Sequence, residues 1–151
     1  MVHDIFFMRK ALNQAQKAYF ENEVPVGAVI VQDGIVIAQA YNQVEQKKTQ
    51  LAHAEMQVLA QVAGTQWRLQ DCIVFVTLQP CMMCMGALLL SRVQCIVWGA
   101  SSPVYGVQIP VYDIPAIYTQ STKLYGGVLQ DEVQELMQKF FEEQRKKSSE
   151  V

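Results

Sequence analysis

A histidine at position 53 and a Cys-x-x-Cys pair at positions 81 and 84 lie far apart in the chain, yet together they form a three-point ligand set. A fold that uses them must bring two stretches, His53-Ala54-Glu55 and Pro80-Cys81-Met82-Met83-Cys84, to one place. Imidazole nitrogen and thiolate sulfur are donors that zinc prefers, and the C-x-x-C spacing lets both sulfurs reach one ion. Three protein ligands leave a fourth tetrahedral corner open. A structural site fills that corner with another Cys or His, whereas a catalytic site keeps it for water, whose pKa the metal lowers toward about 7. Glu55, two residues past the histidine, is then the natural proton carrier. A lone C-x-x-C also suits a redox pair or half of a structural zinc site, and a lone H-x-E arises by chance in many helices. Their conjunction, with proline just before the first cysteine and helical sequence after each stretch, favours a catalytic centre.

The flanking sequence supplies strands and helices to carry these stretches. Residues 4 to about 20 place Phe7, Met8, Ala11, Leu12, Ala15 and Ala18 at helical spacing with Asp4 as a cap, which predicts an amphipathic helix. Residues 24–31 are β-rich, Asp33-Gly34 signals a two-residue hairpin, and residues 35–38 return as the partner strand. Gly27 inside the first strand marks a close backbone approach, by a ligand or, more simply, by a packed helix. A polar stretch, 43–50, leads from Tyr41-Asn42 to a second helix expected from about 52 to 63, with Gly64 as its stop. That puts His53 and Glu55 in its first turn.

Residues 71–77 read as a buried strand, and Pro80 is expected to open a third helix that residues 85–90 continue and Ser91-Arg92 closes. Cys81 and Cys84 then share one face of its first turn, and the backbone dipoles at both helix starts favour thiolates beside a metal. Residues 93–99 form another buried strand, so strand, helix and strand make a parallel βαβ unit. A Ser/Pro/Gly loop over 100–112, a short helical or irregular piece over 114–118, a strand near Lys123-Leu124-Tyr125 and a helix from 131 to about 146 follow. The expected fold is a single α/β domain spanning 1–151, a three-layer α/β/α sandwich around a mixed five-stranded sheet.

At 151 residues and 51% apolar content, one domain can bury roughly 68–70% of its unfolded surface. Four cysteines without a secretory pattern argue for a reducing compartment. The start lacks a signal-peptide core, and apolar runs such as 85–90 are far shorter than the roughly 20 residues that span a bilayer. A soluble cytoplasmic protein with no membrane contact is expected. The net charge of −2 carries no global nucleic-acid footprint, which leaves Lys47-Lys48 and Arg145-Lys146-Lys147 as local basic candidates that also read as solvated surface. Cys72 and Cys95 fall in strands and read as buried small apolar residues. His3, near the terminus, is not expected to be a ligand, and Met82, Met83 and Met85 suit core or subunit contact.

The order H-x-E then P-C-x-x-C is the known signature of zinc-dependent base deaminases. The chain resembles the cytidine deaminase superfamily, most of all its bacterial tRNA-specific adenosine deaminases. The resemblance runs through Met8-Arg9-Lys10-Ala11-Leu12, Glu23-Val24-Pro25-Val26-Gly27-Ala28-Val29, Tyr41-Asn42, Ala52-His53-Ala54-Glu55, Val76-Thr77-Leu78, Pro80-Cys81-Met82-Met83-Cys84, Gly86-Ala87, Ser91-Arg92, Gly99-Ala100 and Phe140-Phe141. It implies Zn2+ on His53, Cys81 and Cys84, acid/base catalysis by Glu55, and base recognition by Asn42. It also implies a wobble adenosine in the tRNA anticodon loop as substrate, and a homodimer whose second subunit helps shape the site.

Four places depart from the family's usual text. Thr49-Gln50-Leu51 stands where Asp-Pro-Thr is usual, and Leu78-Gln79-Pro80-Cys81 where Leu-Glu-Pro-Cys is usual. After Gly99-Ala100 the chain reads Ser101-Ser102-Pro103-Val104-Tyr105-Gly106 instead of Arg-Asp and Lys-x-Gly-Ala, and the last helix carries Phe140-Phe141-Glu142-Glu143-Gln144-Arg145 in place of an arginine-rich end. None of these replaces a zinc ligand. With the acidic balance, they keep a free nucleobase or nucleoside (cytosine, guanine or adenosine) as the competing substrate, and a zinc-stabilised scaffold as the non-enzymatic alternative.

Overall fold

The computed structural model describes residues 2–108, 115–116 and 122–149, with side chains from residue 4 onward. In chain order its elements are α1 (Val2–Phe20), β1 (Gly27–Gln32), β2 (Ile35–Tyr41), α2 (Val44–Lys47), a 3-10 turn (Gln50–Ala52), α3 (Ala54–Val62), β3 (Cys72–Leu78), α4 (Met82–Leu90), β4 (Cys95–Ala100), β5 (Lys123–Tyr125) and α5 (Gln130–Ser149).

Side-chain alternation along the central strands divides the core in two. Ala28 and Ile30 of β1, Val74 and Val76 of β3, and Ile96 of β4 join one buried cluster, while Val29, Val31, Phe75 and Val97 join another. Strands that are apolar on both faces need cover on both. Ala54, Val58 and Val62 of α3 with Met85, Leu88 and Leu89 of α4 cover the first face, and Phe7, Met8 and Ala11 of α1 cover the second. Alongside α1, Val133 of α5 packs with Leu12, Ala15 and Ala100. The result is the expected α/β/α sandwich.

The sheet runs β2-β1-β3-β4-β5. β1 is antiparallel to β2 and β3, whereas β3, β4 and β5 are parallel, so the sheet is mixed and α4 makes the expected crossover between β3 and β4. Asp33 (φ 51°) and Gly34 (φ 76°) are both left-handed, as a primed hairpin turn requires, and Gln32 pairs with Ile35 across it. A bulge that the sequence did not announce leaves Ile37 extra, since Ile30 pairs with Ala38 and Val31 with Val36. Gly27 is needed for helix packing: a Cβ there would lie 2.1 Å from Ala11 O and 2.5 Å from Ala15 N.

Several boundaries differ from expectation: β2 runs on past 35–38 to Tyr41, and α3 starts at Ala54 instead of about 52. β1 starts at Gly27 because Val24 O takes hydrogen bonds from Val26 N (2.8 Å) and Asn42 Nδ2 (3.3 Å), and Pro25 has no N–H for a ladder. The polar stretch 43–50 contains a helix, α2, stopped by Lys48 at φ 52°, before the 3-10 turn that the Thr49 hydroxyl caps by accepting from Leu51 N at 3.2 Å. α4 starts at Met82, not at Pro80, because Cys81 is held extended by an antiparallel bridge to Gly106 while Pro80 O accepts from Val107 N at 3.1 Å. Cys72 and Cys95 are buried, as expected of strand residues. The piece expected over 114–118 lies outside the described residues except at Pro115 and Ala116, and the His3 side chain lies outside them too. Among the described residues no helix is long and apolar enough to cross a membrane.

Candidate active site

Two helix starts on the same sheet face create the ligand cluster. His53 is the N-cap of α3, Cys81 is the N-cap of α4, and Cys84 lies in the first turn of α4. His53 and Cys81 thus sit just outside their helices, which start at Ala54 and Met82, two residues later than the expected 52 and 80. The three ligand atoms all lie within 4.8 Å of one another. His53 Nδ1 is 3.7 Å from Cys81 Sγ and 3.5 Å from Cys84 Sγ. Zinc bonds of about 2.0–2.3 Å subtend tetrahedral edges of roughly 3.3–3.8 Å, so these separations and this donor set fit the ion. The other ring nitrogen, Nε2, faces Gln50 Oε1 at 3.4 Å, an outer contact of the kind that fixes ring orientation and tautomer.

Two thiols this close compete for one negative charge. Hydrogen bonds from Cys84 and His53 pull the Cys81 thiol down to about 4. Cys84 is pushed up, first by its hydrogen bond to Cys81 and then by burial and the charge of Glu55. A coordinating dication ends that competition, because it holds bound thiols deprotonated. The His53 pKa is raised, chiefly by its hydrogen bond with Cys81. Glu55, in the first turn of α3, is only 4% exposed, and burial raises its carboxyl above the ordinary range.

His53, Cys81 and Glu55 face a cavity of about 760 Å³, within the size range of small-ligand sites, while Cys84 lies fully buried behind them. Val24, Val26, Asn42 and Val44 line one side, and Leu78, Gln79 and the loop 100–105 line another. Asn42 is 6% exposed; its backbone N donates to Val26 O (2.9 Å) and its side-chain Nδ2 to Val24 O (3.3 Å). The structure therefore lines one space with four of the residues singled out in the sequence, His53, Cys81, Glu55 and Asn42, and sets the fifth, Cys84, against His53 and Cys81 in the ligand cluster.

Other wall residues were not anticipated. Glu23 is 1% exposed, and its two carboxylate oxygens accept from Glu45 N (3.1 Å) and Gln46 N (2.7 Å), which pins α2 to the cavity edge. Gln134, Met137 and Phe141 of α5 complete the rim. They arrive there because α5 is tied to α1 by the Arg9–Glu132 ion pair and by Tyr19 OH donating to Glu143 at 2.5 Å, long-range contacts with no local sequence signal. The basic clusters stand apart from the cavity lining. Lys47 donates to Gln57 Oε1 (2.6 Å), Lys48 pairs with Glu45 (3.5 Å), and Lys147 donates to Asn22 Oδ1 (3.2 Å).

Residues 1–100 match the family described as the cytidine and deoxycytidylate deaminase zinc-binding region. The chain belongs to this deaminase family. It is accordingly a zinc-dependent deaminase, with His53, Cys81 and Cys84 positioned to bind the metal. It is 39% identical to the tRNA-specific adenosine deaminase of Bacillus subtilis (strain 168), over 97% of this chain and 94% of the relative. A solved chain from a study of A-to-I editing by tRNA:A34 deaminases at the wobble position superimposes with a TM-score of 0.79 at 35% identity, covering 87% of this chain and 98% of that one. The guanine deaminase from Nitrosomonas europaea superimposes with a TM-score of 0.77 over 89% of this chain and 82% of that one; at 21% identity it shares the deaminase fold.

Proposed function

We propose that this deaminase, a single domain acting in the cytoplasm, converts the wobble adenosine of tRNA to inosine by hydrolysis. Near end-to-end likeness to the Bacillus subtilis relative carries the substrate, and the buried Glu55 carboxyl beside the three-ligand cluster carries the chemistry. Zinc held by His53, Cys81 and Cys84 would supply a water of lowered pKa. Glu55 is the group placed to move the protons: it would take one from the attacking water as the oxygen bonds to the carbon that bears the amine, give it to the adjacent ring nitrogen, and carry the second proton from the new hydroxyl to the amine as the C–N bond breaks and ammonia leaves. Burial, which raises its pKa, favours the protonated form and so suits a group that must hold a proton as well as release it. Asn42 orients the base through its side-chain amide. Val24, Val26 and Leu78 offer apolar contact that offsets the cost, on the order of a few kcal/mol, of drawing the base out of its loop.

A second copy of the chain would cover exposed apolar residues of the α3 and α4 region: Leu51 is 63% exposed, and Met82 and Leu90 are each 65% exposed. Such surface on a soluble protein suits a homodimer. A free nucleobase or nucleoside is the second reading, favoured by the loop 101–105, which presents no charged side chain to the cavity. The two readings separate when purified protein is given a wobble-adenosine stem-loop RNA and a panel of nucleobases and nucleosides. Inosine at the wobble position supports the first; ammonia released only from a small substrate replaces it with the second.

A further inference from the structure

The loop that forms one wall of the cavity is closed around a single amide side chain. Gln79 follows β3 and lies two residues before Cys81, and its backbone N donates to Ala100 O at 2.8 Å. Its side chain uses both ends: Nε2 donates to Val107 O at 2.9 Å, and Oε1 accepts from Ser102 N at 3.1 Å. Ser102, 7% exposed, is the hub on the other side. Its carbonyl accepts from Gly106 N (2.9 Å) and Gln108 Nε2 (3.3 Å), and its hydroxyl accepts from Tyr105 N (3.4 Å). Gly106 fits against the clamp so closely that a Cβ there would lie 2.6 Å from both Gln79 Oε1 and Ser102 O. The outcome is a tight loop whose tip carries Val104 and Tyr105, 79% and 77% exposed, at the cavity.

We infer that Gln79 is a positioning residue that sets the 101–107 wall, and through it the affinity for substrate, by clamping Ser102 and Val107 with the two ends of one amide. The inference rests on the proposed function only for which substrate the wall meets. An amide is needed because the loop offers one N–H and one carbonyl, and only a group with both a donor and an acceptor satisfies the two. A carboxylate keeps the contact to Ser102 N but sets an acceptor against Val107 O, leaving a partly buried carbonyl opposed instead of paired. The wall lines the cavity but supplies neither a zinc ligand nor the Glu55 carboxyl, so the effect falls on binding more than on turnover.

Gln79→Glu tests this, with Gly106→Ala pressing on the same clamp from the other side. Amide hydrogen exchange, zinc content, and KM and kcat on a wobble-adenosine stem-loop RNA are measured for both. The expected result is one zinc per chain, exchange at Ser102, Gly106 and Val107 faster by about tenfold or more with β1 and β3 unchanged, KM higher by about tenfold, and kcat within about threefold. Unchanged loop exchange and KM in both variants overturns the inference. So does zinc loss from Gln79→Glu, which would make Gln79 a support of the metal cluster, and so does exchange that rises throughout the sheet in that variant, which would make it a general fold contact. If the wild-type protein deaminates only a free base, the substrate reading fails by itself; the clamp is still judged by loop exchange, which needs no substrate, and by KM for that base.

Discussion

His53 Nδ1 lies 3.5 Å from Cys84 Sγ although 31 residues separate them in the chain. The contact exists because α3 and α4 begin at the same end of one sheet face and each presents a ligand at its start. Cys84 is fully buried, so its sulfur meets only the groups packed around it. Cys84→Ala is expected to fold and to lose its zinc, and metal analysis of the purified variant checks this. Full zinc retention would contradict the ligand assignment.

Gly27 reports on the packing that carries the site's framework. A methyl group there would meet the α1 backbone at 2.1 Å from Ala11 O and 2.5 Å from Ala15 N, and backbone cannot move aside as a flexible side chain can. Gly27→Ala is expected to destabilise folding by at least about 1–3 kcal/mol, the usual cost of overpacking. Urea unfolding of both proteins gives the number; equal midpoints would show that α1 shifts freely.

Much of this arrangement was legible because it is written in local pattern. The Asp33-Gly34 turn, the apolar spacing of α1, and the H-x-E and P-C-x-x-C stretches each follow from neighbouring residues. The helix starts were displaced for a nonlocal reason: Cys81 is extended because Gly106, well beyond it in the chain, bridges to it. Glu23 was missed similarly, since a carboxylate that binds two backbone N–H groups of α2 carries no periodic signal. The rim from α5 depends on the Arg9–Glu132 and Tyr19–Glu143 contacts, which join the two ends of the chain.

If tRNA is the substrate, phosphates must be neutralised by basic residues outside the cavity. Arg145, Lys146 and Lys147 are exposed at the end of α5, whose Phe141 reaches the cavity rim. Replacing all three with neutral residues is expected to weaken tRNA binding and to reduce the salt slope of log affinity by about 0.7 for each phosphate that is no longer neutralised. Deamination of a small nucleoside, if present, should be unaffected. Wild-type binding across several salt concentrations would rule out the tail as an RNA-binding element.

Leu51, Met82 and Leu90 are exposed apolar residues, and the proposed homodimer would cover them. Sedimentation at micromolar concentration is expected to show a species of twice the 17.1 kDa chain mass. A single 17.1 kDa species would remove the homodimer from the account. Met82→Glu should shift the equilibrium toward that monomer by placing unpaired charge in the interface.

The account turns on Glu55 as a proton carrier that is not a metal ligand. It is buried in the first turn of α3, beside a cluster whose three ligands already come from His53, Cys81 and Cys84. Paired zinc analysis and turnover of Glu55→Ala measure this most directly. The expected result is one zinc per chain with turnover lower by about 10²–10⁴-fold, the usual contribution of general acid–base catalysis. Turnover within about tenfold of wild type, or loss of the zinc, would contradict it.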